Sequence, residues 1–159
     1  MLHQMRRDPE RVLECAQAVV ALCERYGFAY YGDWCHILIG WVRGRERPAE
    51  GIEIIESALT RLDEIRAQAR RTFYLSLLAD TYLRAENRVR AASIVDDAIA
   101  IALDRGDLWW LPSLYLQKSE LQPLATRDDV RRRGLELAVA QSNVGLKRRI
   151  LEVSTTQPI

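Results

Sequence analysis

Any chemistry in this chain would have to come from two histidines, three cysteines and the acids around them. His3 and His36 are isolated, and no serine or cysteine nucleophile stands in a recognisable strained turn, so hydrolase chemistry has no support. Cys15, Cys23 and Cys35 make an odd count without a CxxC pair or matched histidines, which argues against zinc. Cys15 and Cys35 fall at apolar positions of a repeat described below and are expected to be buried filler. The paired acids Asp63-Glu64 and Asp96-Asp97 are adjacent, so on a helix they diverge by about 100° and cannot share a substrate. No catalytic residue, metal site or cofactor is expected.

The elements that position these residues follow from composition and spacing. The chain has 159 residues, 48% hydrophobic and 28% charged, ordinary values for a folded domain. Its 23 basic and 22 acidic residues leave a net charge of +1, so no global field recruits nucleic acid or an anionic membrane. No apolar run approaches the roughly 18 residues of a membrane span, and Met1 to Pro9 lacks the apolar middle of a signal peptide. A cytoplasmic protein is expected.

A small residue followed by an apolar one recurs at Ala18, Ala58, Ala98 and Ala138, a constant spacing of 40 residues, with Cys15, Ile55, Val95 and Leu135 three positions earlier. A period of this size signals a solenoid of helix pairs. Asp8-Pro9 starts a helix and Gly27 ends it. Further helices are expected over 28–42, 48–65, 66–84, 89–105, 109–122 and, begun by Asp128 and Asp129, to about Val144. The chain is thus expected to be one all-α domain over 1–159: an orphan helix at 9–26, repeats at 28–66, 67–106 and 107–145, and a C-terminal cap at 146–153.

Leu78-Ala79, Tyr82, Ala91, Val95 and Ala98 in one copy, and Leu38-Ile39, Val42, Gly51, Ile55 and Ala58 in the copy before, resemble the tetratricopeptide repeat. The third copy departs, with Lys118-Ser119, Gln122 and Arg131 at the matching places. The long period, with Trp109-Trp110 and the run from Leu116 to Leu121, is similar to the C-terminal repeat region of large bacterial signalling ATPases joined to adenylyl cyclase or LuxR-type domains. The resemblance implies an α-solenoid, a right-handed superhelix of antiparallel pairs whose first helices line a concave face. It carries over no ATPase, cyclase or DNA-reading motif.

On that face the register places Tyr30, Asp33, His36, Arg70, Phe73, Asp80, Trp110 and Glu120, aromatics mixed with both charges, which suits a protein or peptide partner. The expected function is a scaffold or sensor module of a signalling or transcription-regulatory protein. Two alternatives are an enzyme built on His36 with Asp33 or Asp80, and a nucleic-acid contact through Arg131, Arg132, Arg133, Lys147, Arg148 and Arg149. Against the latter, the near-neutral whole lacks the basic character of a nucleic-acid domain, and a solvated helix face is the simpler reading. The orphan helix leaves an uncovered apolar face. The expectation is that the chain is the C-terminal piece of a longer protein or that two copies pair through this face.

Overall fold

The computed structural model describes residues 8–143 and the single positions 4, 145 and 151. Among the described residues the chain is helical throughout, without strands. The helices are α1 (Pro9–Tyr26), α2 (Ala29–Arg43), α3 (Pro48–Glu64), α4 (Arg71–Arg84), α5 (Arg88–Arg105), a 3-10 turn (Leu108–Trp110), α6 (Leu111–Leu121) and α7 (Leu124–Ala140). They form two compact units, divided between Ala91 and Ala92. No helix among the described residues is long and apolar enough to cross a membrane.

Local signals set most of these bounds. Asp8 accepts a hydrogen bond from the Arg11 amide at 3.1 Å, satisfying one of the free donors at the start of α1. Gly27 closes the helix in the left-handed conformation, φ +75°, with its amide on Cys23 O at 2.8 Å. Asn87 caps α5 through the Arg90 amide at 3.0 Å. Two starts differ from expectation. α4 begins at Arg71, because Arg66 (φ 53°) and Arg70 (φ 60°) break the chain before it. α7 begins at Leu124 behind Pro123, so Asp128 and Asp129 lie inside the helix, and α7 stops at Ala140. The expected cap at 146–153 lies outside the described residues apart from Leu151.

In the first unit α2 packs against α1, α3 and α4, and α3 also meets α4. Side-chain contacts give the directions. Gly44, at the end of α2, touches Gly51 near the start of α3, while Asp33 in the first half of α2 reaches Arg61 in the last turn of α3, so the pair is antiparallel. Tyr30 meets Tyr74 and Trp41 meets Asp80, so α2 and α4 run the same way. Close approach depends on glycine: a Cβ on Gly51 would lie 2.5 Å from Gly44 Cα and 2.6 Å from Gly40 O. The core is Ile37, Trp41, Ile55, Ala58, Leu62, Phe73, Tyr74 and Leu77.

In the second unit α6 and α7 pack as a pair through Leu116, Leu135 and Ala138. Ser119 is fully buried and donates its hydroxyl to Leu116 O at 2.7 Å, satisfying a polar atom in the core. Gln141 Nε2 donates to Leu108 O at 2.6 Å and ties the end of α7 to the 3-10 turn.

Candidate functional site

A cleft of about 330 Å³ opens between α1, α2 and α3, lined in part by Val20, Cys23, Glu24, Asp33, His36 and Arg61. Three local features build it. The Gly27 turn brings α2 back beside α1, and Gly32, where a Cβ would sit 3.5 Å from Cys23 Cβ, lets the two helices close up. Asp33 and His36, three residues apart, share a face of α2. The antiparallel return of α3 then delivers Arg61 to the same place.

Asp33 is buried, yet it faces Arg61, whose Nε donates to Asp33 Oδ1 at 2.5 Å. The guanidinium is steadied from its own helix by Nη1 to Ser57 Oγ at 2.8 Å. Burying a carboxylate without a partner is costly, so this pair is what makes the position tolerable. His36 Nδ1 lies 3.9 Å from the same oxygen, too long for a hydrogen bond. That nitrogen is shielded from solvent and has no hydrogen-bond partner, although the imidazole is about one-third exposed. The cleft therefore offers a fixed carboxylate–guanidinium pair, a partly exposed imidazole, and Glu24 at its lip.

Other expected groove residues serve packing within the first unit. Arg70 lies over the Trp34 ring, 4.9 Å from its centroid, a cation–π contact. Tyr30 OH is 3.5 Å from Tyr74 OH, and burial with that contact pushes the Tyr74 phenol above its ordinary range. Asp80 accepts from Trp41 Nε1 at 2.7 Å and from Arg84 Nη2 at 3.2 Å, joining α4 to α2. Phe73 corrects the surface expected from the register. It is fully buried, because α4 is apolar on more than one side and turns this ring into the core.

Trp110 and Glu120 belong to the second unit. Trp110 is half-buried in the 3-10 turn with its ring 5.0 Å from Trp109, and Glu120 is exposed on α6. The basic run is also corrected. Arg131 is buried, with Asp128 at 3.6 Å, while exposed Arg132 and Arg133 pair with Asp129 and Glu136 on the same helix. On a helix three consecutive residues point in three directions, so Arg131, Arg132 and Arg133 do not share one face. Lys147, Arg148 and Arg149 lie outside the described residues.

The thiols divide differently from expectation. Cys35 and Cys23 are buried, but Cys15 is exposed. Its face of α1 has no covering helix among the described residues. Burial, then the neighbouring Cys23, push the Cys35 thiol up to about 11, so it stays protonated at neutral pH. Among the described residues no three His, Cys, Asp or Glu side chains are grouped to hold a metal ion.

Arg61 and Glu24 were not legible as site residues. Arg61 meets Asp33 across 28 residues of sequence, and only the Ser57, Arg61 spacing of four hinted at a supported guanidinium. No family model matches the chain, and no curated protein or solved structure matches it.

Proposed function

We propose that the chain is a binding module, a tetratricopeptide-like scaffold that holds a peptide segment in the cleft of Asp33, His36 and Arg61. Such a module suits the regulatory repeat region of a bacterial signalling or transcription-regulatory protein. The observation that carries the reading is the Arg61 to Asp33 hydrogen bond in the wall of a cleft that also exposes about one-third of the His36 imidazole. A carboxylate held by a guanidinium is a rigid recognition element. A peptide backbone, with an N–H and a C=O on every residue, can use Asp33 or Glu24 as acceptors and Arg61 or His36 as donors.

The rival reading, an enzyme using His36 with Asp33 or Asp80, is weakened because His36 Nδ1 stands 3.9 Å from Asp33, beyond hydrogen-bond reach, and Asp80 is bonded to Trp41 instead. Nucleic-acid binding is weakened by the pairing and burial of Arg131 to Arg133. The deciding experiment selects peptides from a displayed random library on the purified protein and repeats the selection on Arg61→Ala. Peptides that bind the parent and lose at least tenfold in affinity for the variant support the reading. Failure to select any peptide, with turnover of a small molecule that His36→Ala abolishes, would reverse it.

A further inference from the structure

The 40-residue register lets α1 be compared with α3 position by position, and the two differ in what covers them. Ile55, Ala58 and Leu62 are all at 0% exposure, on the flank of α3 that begins with Gly51 against α2. Their counterparts on α1 are Cys15, Ala18 and Leu22, and all three are exposed, Leu22 at 53%. α1 meets α2 through a different flank, that of Val12, Ala16 and Cys23. An apolar stripe that is core in α3 is therefore open in α1. Tyr26, 59% exposed, and half-buried Val19 line its inner margin, while Glu14 and Arg25 line the outer one.

We propose that this stripe docks on the same stripe of a second copy of the chain, the two α1 helices antiparallel about a twofold axis beside Ala18. The sequence is self-complementary in that arrangement. Cys15 of one copy faces Leu22 of the other, and the two Ala18 residues meet at the centre, where their size permits close approach. On the outer margin Glu14, which pairs with Arg11 of its own helix at 2.7 Å, comes within reach of Arg25 of the second copy as well, and symmetry makes that contact twice. Arg11 comes towards the Tyr26 ring of the second copy, a ring that in the single chain already holds Arg25 at 5.4 Å from its centroid. A parallel pairing sets Arg11 against Arg11 and forms neither contact, so charge selects the antiparallel one.

The cleft of Asp33 and His36 opens on the other flank of α1, through Val20 and Glu24, so pairing leaves it accessible. The inference stands independently of the peptide reading. The contact joins two 18-residue helices, an interface at the small end of the range, where association is weak and reversible.

Sedimentation of the parent and of Ala18→Arg over about 5 to 500 μM, with disulfide cross-linking of two further variants, tests the proposal. The parent is expected to pass from monomer to dimer. Ala18→Arg should remain monomeric throughout with an unchanged thermal melt, since Ala18 touches solvent in the single chain. Leu22→Cys, oxidised, should run as a covalent dimer on a non-reducing gel because the introduced thiol meets Cys15 of the second copy. Within one chain those positions are two helical turns, about 10.5 Å, apart and cannot bridge. Adding Cys15→Ser should abolish the cross-link. A parent monomeric at the highest concentration, a dimer indifferent to Ala18→Arg, or a cross-link that survives Cys15→Ser would overturn the proposal.

Discussion

Arg61 Nε donates to Asp33 Oδ1 at 2.5 Å, joining the last turn of α3 to the first half of α2 and fixing one wall of the cleft. Asp33→Asn keeps the size of the side chain and removes its charge. Because the Arg61 side chain is 43% exposed, water replaces part of the lost interaction. The expected destabilisation is about 1 kcal/mol, read from the urea midpoint. Asp33→Leu, which leaves Arg61 without a carboxylate and puts a branched side chain in its place, should cost clearly more. Equal midpoints for all three proteins would show that the pair contributes nothing to the fold.

Gly51 sets how closely α2 and α3 approach. In Gly51→Ala the added methyl meets Gly44 Cα and Gly40 O, which are backbone and cannot swing aside. Overpacking costs typically about 1–3 kcal/mol, and the upper end is expected here. Gly27→Ala meets no atom within 4 Å and suffers only from φ +75°, so it should lose roughly 1 kcal/mol. Thermal denaturation that ranks Gly27→Ala as the more damaging change would contradict the packing described for the α2/α3 pair.

The fold was legible where a cap or a glycine marks a boundary, as at Asp8, Gly27 and Pro48, and where apolar spacing runs unbroken, as in α3. It was less legible where conformation is decided by single residues with positive φ: nothing in Arg66 or Arg70 announces the left-handed backbone that delays α4. Acidic residues misled at α7, whose start Pro123 sets one turn before Asp128. The register carried Ala58, Ala98 and Ala138 to full burial but failed for Cys15, since burial depends on a neighbouring helix and not on position within the repeat. For the cleft, Asp33 and His36 could be found from the helical face they share. Arg61 could not, because its role exists only once α3 has folded back.

Alkaline pH should weaken the fold. The Cys35 thiol is buried and titrates near 11, against an ordinary value of 9.0. A raised folded value means that the folded state holds the proton more tightly than the unfolded chain does. The stabilisation is therefore complete below pH 9 and is lost as pH rises towards 11. Tyr74, raised in the same direction by burial, extends the loss above its ordinary value of 10.0. Urea midpoints at pH 7 and pH 10.5 should differ for the parent, and the difference should shrink in Cys35→Ala; a pH effect identical in both would remove Cys35 from the explanation.

Ala98 is fully buried on α5, whereas its neighbour Asp97 is exposed. Ala98→Leu must force three carbons into a filled contact and is expected to lose about 1–3 kcal/mol. Asp97→Leu exchanges one solvated side chain for another and should stay within about 0.5 kcal/mol of the parent. Indistinguishable melting temperatures would show that the 40-residue register does not report packing in this helix.

The proposed peptide site is the cleft of Asp33, His36 and Arg61. Amide and imidazole NMR spectra, recorded as a selected peptide is titrated into the isotope-labelled protein, test it most directly. Signals of Glu24, Asp33, His36 and Arg61 are expected to shift together and saturate with one binding constant, and Arg61→Ala is expected to lose the response. Saturable shifts confined to α4, or to the second unit, with those four residues unmoved, would contradict it.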